Sequence, residues 1–192
     1  MNFRWIAAGT MAAAYAASWP ALAQQKLLAE KSELRFVAKQ ENVPMEGRFR
    51  KFAAEVNFDP QKPEASKATI DIDLNSIDMG SPDAESEIKG KPWFNVPVFP
   101  RATFALTSVK PLGGGKYEAQ GKLSLKGIAR DVAAPFQLRQ QGGESIAEGA
   151  FAMKRLDFKI GEGEWSATDT VANDVQVRFR LVMTGVPAVS QR

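Results

Sequence analysis

The sequence predicts an all-β protein: an eight-stranded antiparallel barrel with one short helix after the third strand. Three observations predict it. Apolar residues recur with period two along nearly the whole chain, turn signals separate the runs at short spacing, and a single segment carries the start signals of a helix. Eight antiparallel strands in an open sheet would expose unpaired backbone at both edges, and closing into a barrel removes those edges.

Residues 1–23 stand apart from this pattern. Arg4 is the basic residue of a short n-region, and Trp5 to Ala17 is an uncharged apolar run. SWPALAQQ then places the small residues Ala21 and Ala23 where a signal peptidase reads them. A membrane span takes about 20 apolar residues, so this run is too short for one. The expectation is a cleavable secretory signal over 1–23, followed by one domain over 24–192.

The strands follow in order. SELRFVAK alternates Leu34, Phe36 and Ala38, and the run from Gly47 to Phe58 in GRFRKFAAEVNF is the second. ATIDIDLN alternates Ala68, Ile70, Ile72 and Leu74 with Thr69, Asp71, Asp73 and Asn75. After the helix come RATFALTSV, KYEAQGKLSLKG, RDVAAPFQLRQ and IAEGAFAMKR. VQVRFRLVM closes the series with Val175, Val177, Phe179, Leu181 and Met183 on one face. Each reads as a half-buried antiparallel strand. NVPMEG, DPQKPEAS, the glycines 113–115, KGIA and QQGGES read as the turns between them.

The helix lies in SPDAESEIKGKPWF. Ser81 is a candidate N-cap, Pro82 fits the first helical position, and acidic residues fill the first turn, so about two turns should form and end before Pro92. WFNVPVFPRATF then packs four aromatic rings and two prolines into twelve residues. It reads as a stiffened bend into the fourth strand whose rings either cork one end of the barrel or line its entrance.

Composition excludes several functions. The chain has no His and no Cys, which removes Ser-His-Asp and Cys-His mechanisms, disulfides and the commonest zinc and haem ligand. Its basic residues are scattered singly around a net charge of +3, with no stripe that would suit nucleic acid. Asp71, Asp73 and Asn75 mimic the opening of a calcium loop, but Ser76 and Pro82 stand where Gly and Glu are required. Gly161 and Gly163 lack the third glycine of a dinucleotide fingerprint, and Asp157, Glu162 and Glu164 have no fixed separation for acid/base work. No catalysis and no cofactor are expected.

On the inward faces, small residues (Ala38, Gly47, Ala68, Ala102, Ala119, Gly121, Ala134, Gly149) alternate with large ones. Two readings stay open: they relieve crowding in bent strands, or they leave a channel. Arg155 ends the alternation Phe151, Met153. Such an arginine either pairs with a carboxylate at the rim or meets an anionic head group.

The segments GRFRKFAAEVNFDP, IDLNSIDMG, KPWFNVPVFPRATF, GKLSLKGIARDVAAPF and FAMKRLDFKIGEGEW, in that order, resemble the YceI-like polyisoprenoid-binding family from about Lys26 to Met183. The resemblance implies a lipocalin-like barrel in the periplasm that holds an isoprenoid lipid, of quinone or prenyl phosphate type, in its interior. RLDFKIGEGEW with SATDTVANDVQV also resembles the form found beside b-type membrane cytochromes, which makes such a cytochrome a possible partner. The resemblance marks Gly47, Phe49, Phe52, Phe94, Pro100, Phe104, Gly121, Leu123, Leu125, Gly127, Arg155, Asp157 and Phe158. Together with the alternation, the expected ligand-lining set is Phe36, Phe49, Phe52, Ile70, Ile72, Phe94, Phe99, Phe104, Leu123, Leu125, Phe151, Met153, Arg155 and Phe179. The competing expectation is a barrel filled by its own side chains that docks a membrane cytochrome or envelope protein.

Overall fold

Every strand pairing is antiparallel, as the period-two alternation requires. The computed structural model describes residues 24–188, so the expected leader at 1–23 lies outside the described residues. Their strands are β1 (Lys26–Leu27), β2 (Glu33–Gln40), β3 (Val43–Phe49), β4 (Phe52–Asn57), β5 (Lys67–Asp73), β6 (Ile77–Asp78), β7 (Arg101–Gly113), β8 (Lys116–Leu125), β9 (Ile128–Gln141), β10 (Glu144–Lys154) and β11 (Asp174–Thr184). The one α-helix among the described residues, α1, is Pro82–Lys89.

Two of the eight expected strands are kinked. β3 and β4 are halves of one strand broken at Arg50 and Lys51, and β5 and β6 are halves of its partner, separated by a 3-10 turn at Leu74–Ser76. The ladder carries across the break: Phe49 faces Ile77, Arg50 N–H donates to the Ser76 carbonyl (3.1 Å), Asp73 N–H donates to the Lys51 carbonyl (3.0 Å), and Phe52 faces Ile72. With each pair joined, the strands run β2, β3/β4, β5/β6, β7, β8, β9, β10, β11 and back to β2. The sheet thus curls into a splayed eight-stranded barrel.

The second strand starts earlier than the sequence predicted, because NVPMEG is mostly strand. Only Glu41 and Asn42 form the turn, with φ of 48° and 65°. Pro44 is tolerated inside β3 because β3 pairs on its far side only at Arg48 and Phe49. A second proline, Pro135, marks where β9 leaves β10. Their last pair is Gly149 with Phe136, and the residue before it has no N–H to continue the ladder.

Asp78 holds the kink between β3 and β4. Its Oδ2 accepts from Arg48 Nε (2.7 Å) and Arg50 Nη2 (2.8 Å), and its Oδ1 accepts from Gly80 N–H (3.1 Å). The Arg48 hydrogen bond, then that from Arg50, then the Gly80 N–H pull this carboxyl far below its usual 3.8. A depressed folded-state value gives stability that is complete above the unfolded value and lost as pH falls below about 4. Asp78→Asn should therefore lower the urea midpoint at pH 7 and flatten its decline in acid. An unchanged acid limb in the variant would contradict this role.

Glycine settles how the barrel stays wide. A Cβ on Gly121 would lie 2.3 Å from the Phe104 ring, and one on Gly149 would lie 2.5 Å from the Phe179 ring and 2.3 Å from the Pro135 carbonyl. Each ring covers a glycine of the neighbouring strand. The rings are held against the wall instead of crossing the interior. Both readings of the small residues are thus combined, since relieving crowding at the wall is what leaves the middle open.

The strands point Lys, Arg, Glu, Thr and Ser outward, while the inward faces are apolar. That is the reverse of a lipid-embedded barrel, which is apolar outside. No helix among the described residues is long and apolar enough to cross a membrane.

Candidate ligand-binding cavity

The interior holds a cavity of about 230 Å³ that runs nearly the length of the barrel. At one end it meets Phe58, Lys67, Leu138 and Met183; at the other it meets Trp93, Arg155, Ile160 and Val171. A single water needs about 10–15 Å³, so this is space for a sizeable ligand. Apart from Lys67 and Arg155, the lining is Ala, Val, Leu, Ile, Met, Phe and Trp. Phe49, Phe52, Ile70, Phe104, Phe151, Met153 and Phe179 face inward yet are only partly buried. The barrel is therefore not filled by its own side chains.

The base is a cap built from two segments. Residues 93–100 fold back on α1: Phe94 N–H donates to the Ile88 carbonyl (3.0 Å), Asn95 N–H to Gly90 (2.8 Å) and Val96 N–H to Lys89 (3.0 Å). α1 begins at Pro82, as its start signals predicted, although Ser81 makes no side-chain cap bond. This buries Phe94 and Val96 and sets Phe94 edge-on to Phe49, centroids 6.2 Å apart. Val98 stays exposed. Residues 155–171 supply the other half through two 3-10 turns, Arg155–Phe158 and Gly163–Ser166.

Arg155 ties the cap together and corrects both sequence readings of it. The side chain is 2% exposed and has no carboxylate partner among the described residues. Nε donates to the Ala172 carbonyl (3.1 Å), Nη1 to Ile160 and Gly161 (2.9 Å each), and Nη2 to Trp165 and Val171 (2.7 Å each). All five donors are thus spent on main-chain carbonyls, which leaves no N–H for a head group. Its charge also lies 5.9 Å from the Trp93 ring centroid. Burial lowers the guanidinium's pKa from its ordinary value, and an arginine still stays charged at neutral pH.

Sequence reasoning passed over Lys126, which does the same work nearby. It is 8% exposed, and its Nζ donates to the Lys159 carbonyl (2.6 Å), the Pro92 carbonyl (3.3 Å) and Glu162 Oε2 (3.1 Å). In the sequence it sits in a hairpin turn, where lysine is normally solvated, so no pattern marks it.

At the opposite end, aromatic rings pack together at the cavity's border. Phe58 meets Tyr117 edge-on at 5.4 Å, and Tyr117 stacks on Phe136 at 5.3 Å. The alternation placed all three on strands, but nothing in it shows that they meet. Burial pushes the Tyr117 phenol above its usual 10.0.

The structure brings nearly the whole expected lining set to this cavity. Phe36, Phe49, Phe52, Ile70, Ile72, Phe94, Phe104, Leu123, Leu125, Phe151, Met153, Arg155 and Phe179 all border it. Phe99 does not. It packs over Gly127, where a Cβ would lie 2.8 Å from its ring, and so covers the β8–β9 turn from outside. Of the weighed motifs, Asp73 accepts from Asn75 N–H (3.0 Å) to cap a 3-10 turn, and Asp71 accepts from the Thr103 hydroxyl (2.8 Å). Both carboxylates serve local structure.

Comparison with known proteins places this geometry. A UPF0312 protein of Shewanella oneidensis is 30% identical over 148 residues, spanning 73% of each chain. One from Yersinia pestis is 36% identical over 98 residues, 51% of this chain and 50% of the other. Among solved structures, Burkholderia cenocepacia BcnA superposes with a TM-score of 0.80 at 41% identity, over 82% of this chain and 99% of that one. A polyisoprenoid binding domain from Saccharophagus degradans shares the fold at 18% identity, with a TM-score of 0.69 over 85% and 99% of the two chains. The model of the YceI-like domain matches residues 26–183, the same span that the barrel and its cap occupy, and the chain belongs to that family.

Proposed function

We propose that this protein binds an isoprenoid lipid, of quinone or prenyl phosphate type, inside the barrel and carries it across the periplasm without chemistry. The observation that carries this reading is the elongated apolar cavity. An unfilled apolar cavity costs about 24 cal/mol per Å³, on the order of 5 kcal/mol for 230 Å³, so an apolar occupant repays its burial twice. An unbranched or prenyl tail suits the shape, because the space is long and its lining almost wholly apolar. Membership of the YceI-like family and the fold shared with a polyisoprenoid binding domain support the same reading. Export rests on the leader-like residues 1–23.

The energetics allow useful affinity. Burying about 600 Å² of tail gives roughly 15 kcal/mol gross, and losses of motion reduce this to the micromolar to nanomolar range. A two-isoprene ubiquinone at about 100-fold over its Kd should stabilise the fold by about 2.7 kcal/mol. For a domain of this size that raises Tm by about 5–10 °C in a thermal scan. An unmoved Tm, with no prenyl lipid extracted from the purified protein, would refute the reading.

A further inference from the structure

The cap covers one end of the barrel, and at the other the Phe58, Tyr117 and Phe136 rings pack together beside the exposed Lys67. The wall is incomplete elsewhere. β1 pairs with the end of β11 and runs beside β4, but no ladder joins β1 to β4. The hydrogen bonds across this seam come from one side chain: Gln25 Nε2 donates to the Phe58 carbonyl (2.7 Å) and Gln25 Oε1 accepts from Phe58 N–H (2.8 Å). Along the seam runs a groove lined by Gln24, Gln25, Lys26, Leu27, Ala29 and the stretch from Phe52 to Val56. Phe52 and Val56 also line the interior cavity. Groove and cavity are therefore two sides of the same two side chains.

The backbone of β4 gives the groove its chemistry. Lys51 turns its carbonyl to Asp73 on the β5 side, whereas Phe58 turns its N–H and C=O to Gln25 on the seam side. Strand backbone alternates, so Ala54 and Val56 aim their N–H and C=O groups at the seam, where no ladder uses them. The floor of the groove thus offers hydrogen-bond donors and acceptors, with Lys26 and Glu55 at its sides.

We propose that the β1/β4 seam is the head-group subsite and portal of the barrel: the polar head of an amphiphile sits in this groove on the edge of β4 while its tail passes between Phe52 and Val56 into the cavity. This rests on the lipid-binding reading above. The class of ligand it selects is a long apolar tail ending in a small head with carbonyl, hydroxyl or phosphate oxygens, which the Ala54 and Val56 N–H groups can bond.

The test uses the absence of cysteine, which allows one fluorophore per variant. Ala53→Cys labels the groove, Ala152→Cys the place where β9 and β10 part, Val98→Cys the cap and Leu112→Cys the far hairpin. With two-isoprene ubiquinone, whose quinone ring quenches fluorescence, the Ala53 label should lose more than half its signal and the other three should change little. A second variant separates head from tail. Ala54→Pro removes an N–H that no ladder uses, so affinity for the quinone should fall about five-fold while affinity for squalene, a headless isoprenoid, stays unchanged. Stronger quenching at Ala152, Val98 or Leu112 overturns the subsite and leaves the lipid reading intact. Equal losses for both probes, or for neither, overturn it as well. Failure of both probes to raise Tm overturns the lipid reading itself.

Discussion

Replacing Ala119 with Phe should cut lipid affinity by 100-fold or more and leave the protein at least as stable as before. Ala119 lines the cavity directly opposite Ala134, which also lines it, on the neighbouring strand. Two small side chains facing the same space make this a wide point of the interior. A phenyl ring added there occupies the path of the tail. It also fills apolar space, which removes part of a cavity cost of about 24 cal/mol per Å³. Binding and stability should therefore move in opposite directions, a result that general damage to the fold cannot produce. Titration with two-isoprene ubiquinone and urea denaturation of the ligand-free protein check the two halves. Undiminished binding would place the lipid outside the barrel.

Replacing Arg155 with Met should be the most destabilising single change in the chain, with a loss on the order of 4–5 kcal/mol in urea. Five carbonyls, of Ile160, Gly161, Trp165, Val171 and Ala172, would lose their donor at once. A buried acceptor left alone costs about 1–3 kcal/mol, with part of the total recovered by water entering the loosened cap. At about 2–4 °C per kcal/mol, Tm should drop by roughly 10–15 °C. Arg155→Lys should recover only a fraction, because an ammonium has three donors on one nitrogen and cannot span carbonyls on both sides of a planar fork. A loss below about 1 kcal/mol for the Met variant would show that the cap is held by something else.

These two residues show where sequence reading succeeds and where it stops. Ala119 was legible as a small inward residue because strand alternation alone gives its face. Arg155 was legible as an anomaly, a cation where the alternation expects an apolar side chain, but its partners were not. They are main-chain carbonyls drawn from residues 160 to 172, and any residue type supplies a carbonyl, so no pattern of side chains can point to them. Lys126 escaped notice for the same reason. Phe99 was misplaced because aromatic residues in one loop look alike in sequence; only the packing shows that Phe94 turns into the barrel while Phe99 lies over Gly127 on its outside.

The sequence by itself determined that this is an antiparallel barrel, which residues face inward, where α1 starts, and that no histidine or cysteine chemistry is available. Those are local properties, set by the two-residue period of a strand and by composition. The tertiary structure alone decided that the interior is open, because openness depends on which ring meets which glycine across a strand pair. Phe104 on Gly121 and Phe179 on Gly149 are neighbours only once register is set. It also decided that the wall is unsealed between β1 and β4, since a missing ladder is a relation between two segments some thirty residues apart, and neither segment records it alone.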